Sequence, residues 1–231
     1  MSDLPQLLTK LNIQFNDKSL LETAFTHRSY LNEASKDKNR QSNERLEFLG
    51  DAILSFLISQ YLFSQYPLEP EGLLTNLRST VVKTETLAEI AGRLELGKYL
   101  LLSKGEEKGG GRQNISLLAD TFEAFLAALL IDQGIDNVRN FLEKFLYPRI
   151  PQILHDQLHT DYKSKLQEIV QTKSSIPPTY KVVKTEGPDH AKQFWVAVII
   201  DNNLGETGIG KSKQEAEQDA AHRTLEKLGQ I

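Results

Sequence analysis

The stretch from Asn43 to Leu54, N-E-R-L-E-F-L-G-D-A-I-L, constrains the fold of this chain more than any other. Three acidic residues in it, Glu44, Glu47 and Asp51, follow an i, i+3, i+7 spacing, which returns to one face of an α-helix. Apolar residues recur at helical period on another face: Leu46, Leu49, Ile53 and Phe56. The pattern therefore predicts one helix that carries both a core stripe and a stripe of carboxylates.

The carboxylate stripe allows two interpretations. Carboxylates along one helix face repel each other unless a cation or a basic partner stands among them, which favours a metal or catalytic site. The alternative is that these acids simply form a solvated helix face. Their spacing alone does not separate the two.

A second acidic pair lies in the apolar stretch Leu118–Leu130, which contains no Lys or Arg. Asp120 and Glu123 are three residues apart and share a helix face. Acids are almost never fully buried without a partner, and a cation shared with Glu47 and Asp51 would provide one. Carboxylate oxygens without Cys or a local His cluster point to Mg²⁺ or Mn²⁺ rather than zinc.

The character of the chain changes after residue 150. Nothing before that point alternates with period two, so residues 1–150 are predicted to be all-α. A linker is predicted at 151–160, followed by a small unit at 161–230. In that unit a helix precedes three β-rich runs and a last helix, which begin near Tyr162, Thr179, Gln193, Leu204 and Ser212.

Several motifs, in this order, resemble the bacterial ribonuclease III family. E-R-L-E-F-L-G-D-A-I-L at 44–54 is similar to the signature of that family, and A-D-T-F-E-A at 119–124 is similar to its second acidic motif. T-H-R-S-Y at 26–30 and L-R-S-T-V-V at 77–82 also match its pattern. The resemblance implies an all-α ribonuclease III endonuclease domain followed by a small α+β (α-β-β-β-α) double-stranded-RNA-binding domain.

The resemblance extends from about Leu7 to Leu228, and it implies an endoribonuclease that cleaves double-stranded RNA by metal-assisted hydrolysis. The implied products carry 5′-phosphate and 3′-hydroxyl ends with short 3′ overhangs. The implied substrates are precursors of ribosomal RNA and some messenger and transfer RNAs, in the cytoplasm. The implied cofactor is Mg²⁺, for which Mn²⁺ can substitute.

Residue roles can be assigned motif by motif. The expected metal ligands are Glu47, Asp120 and Glu123, and Asp51 is expected to orient a water or the nucleophile. Asp51 and Glu123 are the expected catalytic residues, and Glu44 is expected at the margin of the site. The resemblance also implies a set of RNA-binding residues in the second domain, namely Gln167, Glu168, Pro188, His190, Lys211, Ser212 and Lys213.

A symmetric homodimer is also expected, because one acidic cluster cuts one strand and a duplex has two. Phe48 falls on neither stripe of the signature helix; it is either a core residue or, as the resemblance implies, a contact across a twofold interface. Gly50 suggests the close approach of another helix, and we expect it at the same interface. His27 is interpreted as a hydrogen-bonded packing residue; the alternative is that it turns back toward the acidic helix.

Bulk composition narrows the function classes. The chain has no cysteine, which excludes disulfides and thiolate chemistry. No basic region followed by an apolar run opens the sequence, so neither a signal peptide nor a transmembrane helix is expected. The net charge is −4, and residues 161–231 hold ten basic and ten acidic residues. Gln214 stands where family members usually carry a second basic residue, which predicts weaker RNA binding with a shallower salt dependence.

Three rival interpretations remain at this point. The chain could be a non-catalytic double-stranded-RNA-binding regulator, in which case a carboxylate of the cluster should be missing, and none is. The acids could hold a purely structural metal. The carboxyl-terminal unit could be a protein-interaction domain of the same fold.

Overall fold

The computed structural model describes residues 4–33, 40–155, 161–172, 176–188, 192–201 and 203–231. The chain divides into two compact units, Met1–His159 and Thr160–Ile231. The first is helical and the second is α+β, so the predicted fold class is confirmed.

The described part of the first unit is built from α-helices joined by short loops and 3-10 turns. The helices are α1 (Leu4–Leu11), α2 (Lys18–Ala24), α3 (Arg28–Glu33), α4 (Glu44–Gln65), α5 (Glu71–Val82), α6 (Thr84–Arg93), α7 (Lys104–Lys108), α8 (Ile115–Gln133), α9 (Ile135–Phe145) and α10 (Ile150–His155). The 3-10 turns are Leu96–Tyr99, Gly111–Gln113 and Tyr147–Arg149. In this described part, strand-like pairing is limited to one parallel bridge between Thr26 and Leu101.

That bridge interrupts a helix that the sequence predicts as continuous from Leu20 to Tyr30. The Leu101 N–H donates to the Phe25 carbonyl at 2.8 Å, and the His27 N–H donates to the Leu101 carbonyl at 3.1 Å. These bonds occupy backbone groups that a continuing helix would need, so α2 ends at Ala24 and α3 begins at Arg28.

The sequence predicts that the glycine-rich segment 103–114 is a flexible loop, which either contacts a phosphate backbone or is a plain connector. In the structure this segment is largely helical. Ser103 caps α7 by accepting a hydrogen bond from the Glu106 N–H. Arg112 donates to the carbonyls of Gly97, Lys98 and Leu100 at 2.9–3.0 Å and pairs with Glu107. The guanidinium of Arg112 therefore holds the local chain together rather than extending toward solvent.

α4 and α8 form the centre of the first unit. Their backbones touch where Gly50 faces Glu123, because a Cβ added at Gly50 would overlap the carbonyl oxygen of Glu123. Gly50 is buried, and the helix that it admits is α8 of the same chain. The close helix approach that Gly50 suggests is therefore intramolecular, and its place at a dimer interface stays a prediction.

In the described part of the chain, α4 is the one helix long and apolar enough to cross a membrane by length and composition, with a mean hydropathy of 1.4. The sequence had not suggested such a helix. Its apolar character has a local explanation, since Leu54, Leu57, Ile58 and Leu62 are fully buried in the core of the first unit. α4 thus behaves as the central helix of a folded unit.

The second unit contains α11 (Tyr162–Gln171), β1 (Thr179–Glu186), β2 (Gln193–Ile200), β3 (Asn203–Gly210) and α12 (Lys213–Lys227). The strands form an antiparallel sheet in the order β1-β2-β3. Both helices contribute to one core, which contains Leu166, Val198, Ala220 and Leu225. Gly208 of β3 lets α12 approach the sheet, because a Cβ there would overlap the Ala220 backbone.

The junction between the units differs from the predicted linker at 151–160. Residues 150–155 form α10, and Ile153 is buried in the core of the first unit. Positions 156–160 lie outside the described residues. The limits 1–150 and 161–230 stay predictions for the domain boundaries.

Replacing Gly50 with alanine tests the contact between α4 and α8. Because the added methyl group must push two helix backbones apart, we expect Gly50→Ala to lower the free energy of unfolding by roughly 2–3 kcal/mol. The matched control is Gly92→Ala in α6, where a Cβ meets nothing within 4 Å and alanine should stabilise the helix by up to about 1 kcal/mol. Urea unfolding measures both variants, and equal effects would contradict the proposed contact.

Candidate active site

The crossing of α4 and α8 brings the sequence-predicted acids to one surface. Glu47 and Asp51 lie on either side of Gly50 along α4, and Asp120 and Glu123 lie one turn apart on α8. Because Gly50 contacts the backbone of Glu123 itself, no side chain separates the two helices there. The two acidic pairs therefore flank the place where the two helix backbones meet.

The electrostatics of these groups show that they act on one another. The pKa of Glu123 is raised to about 8, mainly by burial and in smaller part by repulsion from Asp51, Asp120 and Glu47. Burial also raises the pKa of Glu47, and the neighbouring Asp120, Glu44 and Asp51 add to this effect. The pKa of Asp120 is raised mainly by burial. The cluster is therefore both partly desolvated and self-repelling.

No basic side chain of the described residues relieves this repulsion by pairing with Glu47, Asp51, Asp120 or Glu123. Carboxylates that share a desolvated site need either protons or a cation. Hard oxygen donors of this kind suit a divalent ion such as Mg²⁺ or Mn²⁺. Within the described ranges, no three acidic or histidine side chains already stand around one point, so the carboxylates would have to close on an ion by rotamer changes.

Glu44, expected at the margin of the site, is held away from the other acids. Its carboxylate accepts a hydrogen bond from the Ser42 hydroxyl at 2.8 Å and lies 3.6 Å from the Arg28 guanidinium. It remains close enough to raise the pKa of Glu47. Its exposed ion pair with Arg28 places Glu44 at the edge of the acidic cluster.

His27 lies beside the cluster in a way that the sequence did not settle. Its Nδ1 lies 2.8 Å from the Ser29 hydroxyl, so it is hydrogen-bonded, as the favoured interpretation expected. The imidazole also lowers the pKa of Asp120 against the effect of burial. His27 therefore has both the packing role and the proximity to the acids that were considered as alternatives.

The sequence-predicted RNA-binding residues of the second unit lie on its surface. Gln167 and Glu168 are exposed on α11, and Pro188 is exposed after β1. Three further exposed residues lie at the start of α12, namely Lys211, Ser212 and Lys213. His190 lies outside the described residues.

The sequence predicts that Ser212 caps α12, and the structure confirms that cap and adds a second bond that the sequence analysis missed. The Ser212 hydroxyl accepts a hydrogen bond from the Glu215 N–H at 3.1 Å, and the Glu215 carboxylate accepts one from the Lys211 N–H at 2.7 Å. This reciprocal arrangement resembles a capping box, whose S-x-x-E signal is readable at 212–215. The carboxylate thus occupies the end of the helix where a phosphate was expected to dock.

Comparison with known proteins assigns both units. Residues 17–150 match the family model described as Ribonuclease-III-like. Residues 162–228 match the model described as Double-stranded RNA binding motif. Together these two matches cover most of the chain.

Whole-length relatives and solved structures agree with these matches. The chain is 48% identical over 232 residues to Ribonuclease 3 of Streptococcus pyogenes serotype M28 and equally to that of serotype M1, with 100% of each sequence covered. Two structures of the nuclease domain of ribonuclease III from Campylobacter jejuni align with TM-scores of 0.58 and 0.59 at 35% and 36% identity. They cover 64% and 66% of this chain and 99% of their own. The chain therefore belongs to the ribonuclease III family, with a nuclease domain followed by a double-stranded-RNA-binding domain.

Proposed function

We propose that this endoribonuclease cuts double-stranded RNA at the carboxylate cluster of α4 and α8, with Mg²⁺ as its cation. The nuclease domain comprises residues 1–150 and the RNA-binding domain residues 161–230. One observation carries the proposal: Glu47, Asp120 and Glu123 all have raised pKa values near the contact of Gly50 with α8, and no Lys or Arg of the described residues pairs with them. Ion pairs that only stabilise a fold also perturb pKa values, but a cluster of groups that all carry negative charge is typical of a functional site.

The role proposed for each acid follows from how far its side chain is buried. Glu47, Asp120 and Glu123 would hold a divalent ion, because they are the partly buried members of the cluster. A bound cation of this kind stabilises charge on a phosphate and lowers the pKa of a coordinated water. Asp51 is exposed, and we assign it to orient the attacking water. Mn²⁺, which prefers similar ligands, should replace Mg²⁺.

The raised pKa of Glu123 affects how a cation would bind to the carboxylate cluster. With a pKa of about 8, its carboxyl group keeps its proton near neutral pH until a competing positive charge arrives. Cation binding must then release that proton, so cation affinity should rise with pH. Glu123 is consequently the group of the cluster whose removal should matter most.

Products with 5′-phosphate and 3′-hydroxyl ends and short 3′ overhangs would follow from water attack on phosphodiesters of both strands. Ribosomal RNA precursors, and some messenger and transfer RNA precursors, contain the required duplex and are the proposed substrates. We assign the activity to the cytoplasm, where such precursors are processed. A non-catalytic RNA-binding regulator is the second candidate, although nothing in the described cluster favours it.

Cutting both strands in one encounter needs two clusters, and α4 offers a surface for pairing two copies. Phe48, Phe56 and Phe63 are 80%, 51% and 74% exposed and lie toward one side of this helix. An exposed aromatic stripe of this kind marks an interaction surface. One of the related Campylobacter jejuni structures is described as showing flexibility in a region involved in dimer formation. We therefore propose a twofold homodimer through α4, with Phe48 in its interface.

The second domain is expected to bind duplex RNA with modest affinity. Lys211 and Lys213 are exposed at the start of α12, where they can reach phosphates, and Gln167 and Glu168 on α11 can reach a minor groove. The formal neutrality of residues 161–231 limits the number of phosphates neutralised. Gln214 contributes to this limit because it adds no charge beside Lys213.

Removal of one carboxylate tests the site. We expect Glu123→Gln to reduce cleavage of long duplex RNA in Mg²⁺ by at least about 1000-fold, because several kcal/mol of charge stabilisation depend on the ion it holds. Binding of the same RNA should stay within about twofold, since that surface belongs to the other domain. A variant that cuts at a comparable rate would refute the assignment, and one that also loses RNA binding would point to misfolding.

The same variant can also be tested without a metal ion, through the pH dependence of the free energy of unfolding. The pKa of Glu123 is about 8 in the folded state against a model-peptide value of 4.5, so between these values the folded state binds more protons than the unfolded state. The free energy of unfolding should therefore fall as pH rises from 4.5 to about 8 and level off above. Because the carboxyl is only partly buried, we expect a fall of about 2 kcal/mol. Urea unfolding in a chelator should show this fall in the wild type and much less of it in Glu123→Gln.

Adding a positive charge at the start of α12 tests whether Gln214 limits RNA binding. Gln214→Lys should tighten duplex RNA binding and steepen the slope of log K against log salt by up to about one unit, because it adds one phosphate contact. Gln230→Lys, beyond the other end of α12, makes the same charge change and is the matched control. If the two variants behave alike, residue 214 does not face the RNA.

Dimerisation can be measured by sedimentation at micromolar concentration. We expect the wild type to be dimeric, and Phe48→Glu to weaken association by roughly 2–4 kcal/mol, because it buries a charge without a partner. Leu204→Glu, at a 72% exposed residue of the second domain, is the control and should leave the dimer intact. A wild-type monomer that still makes paired, staggered cuts would contradict the proposal.

A further inference from the structure

Arg28 is the first residue of α3, and its backbone is held beside the start of α4. The Asn43 N–H, directly before α4, donates to the Thr26 carbonyl at 2.9 Å. α3 is also tied to the segment before α7, because the Ser29 hydroxyl accepts a hydrogen bond from the Ser103 N–H at 3.1 Å. These bonds fix where the side chain of Arg28 begins relative to the acidic helix.

The guanidinium of Arg28 reaches the edge of the acidic cluster. Its Nη1 lies 3.6 Å from Oε1 of Glu44, whose other carboxylate oxygen accepts a hydrogen bond from the Ser42 hydroxyl at 2.8 Å. Glu44 and Glu47 are three residues apart on α4, a spacing that puts their Cβ atoms about 5–6 Å apart. A positive charge therefore lies beside the outermost acid, one helical turn from a proposed cation ligand.

The contact between Arg28 and Glu44 is loose. The distance of 3.6 Å is longer than a hydrogen bond, and the two side chains are 73% and 54% exposed. Exposed ion pairs of this kind contribute little to stability, so the guanidinium can exchange Glu44 for another anion at little cost. A guanidinium has five N–H donors, and that of Arg28 makes no hydrogen bond to the residues that the structure describes.

Duplex RNA, the substrate of this endoribonuclease, carries a negative charge at each phosphate of both strands. A phosphodiester held at the carboxylate cluster has a second phosphate one nucleotide away along the same strand. The carboxylates repel that second phosphate, whereas Arg28 offers it a positive charge at their edge. Arginine suits this contact, because its planar fork matches phosphate oxygens and its hydrogen bonds to them are charge-assisted.

We propose that Arg28 is a substrate-positioning residue, whose guanidinium leaves Glu44 and binds the phosphate next to the scissile one on the strand being cut. Glu44 holds the guanidinium at the edge of the cluster while RNA is absent. The inference rests on the proposed function, because it places the scissile phosphate at Glu47, Asp120 and Glu123.

The experiment measures kcat/KM of the full-length protein on a duplex RNA with one cleavage site, in Mg²⁺ at several concentrations of monovalent salt. We expect Arg28→Gln to lower kcat/KM at least about 10-fold at low salt, because a charge-assisted contact is lost. It should also flatten the slope of log kcat/KM against log salt by up to about one unit. Arg28→Lys keeps the charge but not the fork, so it should retain the slope with a smaller loss.

A purely structural role of Arg28 would lower kcat/KM alike at every salt concentration, and that result would overturn the proposal. The matched control is Arg93→Gln, at an exposed arginine that ends α6, and we expect it to keep the wild-type rate and slope. Equal flattening in both variants would show a general effect of net charge, which also overturns the assignment. Wild-type rate and slope in Arg28→Gln would do the same.

A second measurement does not depend on any variant folding. Methylphosphonate removes the charge of one phosphate, and it can be placed on either side of the scissile phosphate beside a 2′-deoxy sugar that the reference duplex also carries. We expect one of these two substitutions to lower kcat/KM of the wild type at least about 10-fold. It should affect Arg28→Gln much less, because both changes remove one contact. No loss in the wild type at either position would overturn the proposal.

The Glu123→Gln variant separates this inference from the proposed function. If Glu123→Gln abolishes cleavage and Arg28→Gln keeps the wild-type rate and slope, the cutting site stands and only the role of Arg28 is removed. If Glu123→Gln cuts at a comparable rate, the carboxylate cluster is not the cutting site, and the role of Arg28 fails with it.

Discussion

The contact between Gly50 and the Glu123 backbone is the constraint on which the rest of the first domain depends. It lets two long helices meet without intervening side chains, and it draws the carboxyl groups of both into one partly desolvated space. Their mutual repulsion lowers the stability of the metal-free fold. The apolar packing of α8, where residues such as Phe122 and Phe125 are fully buried, offsets that cost. At the proposed site, the arrangement that would serve catalysis therefore lowers the stability of the fold that holds it.

Much of this arrangement was predictable because it is local. Helical period placed Glu47 and Asp51 on one face of α4, and Asp120 and Glu123 on one face of α8, and strand-like runs predicted the sheet of the second domain. Contacts between distant segments were not predictable. Leu101 ends α2 through backbone bonds to Phe25 and His27, which are more than seventy positions away. The sequence suggested a close neighbour for Gly50 without showing that it was α8. By contrast, the sequence predicts the Ser212 cap of α12, but the return bond of Glu215 to the Lys211 N–H was readable and was missed.

The signature helix carries three surfaces at once. One face is buried in the core, the second bears the carboxylates, and the third exposes the aromatic side chains Phe48, Phe56 and Phe63. Apolar residues on two of these faces explain why α4 resembles a membrane-spanning segment by composition. In the proposed dimer, α4 would couple assembly to chemistry, because the residues proposed to pair two copies and those proposed to hold the cation lie on one rigid helix.

The carboxylate of Glu215 has a consequence for turnover. Because it already satisfies the Lys211 N–H, an incoming phosphate finds the end of α12 occupied by a group of its own charge. If RNA docks there as proposed, its phosphate would bind at the lysine side chains alone or displace the cap, and either route would weaken the complex. An enzyme that cuts a polymer must let go of two fragments, and release often limits the rate of such enzymes. We therefore expect the self-capped helix to speed dissociation of the RNA-binding domain, which would favour repeated cutting over long residence on one duplex.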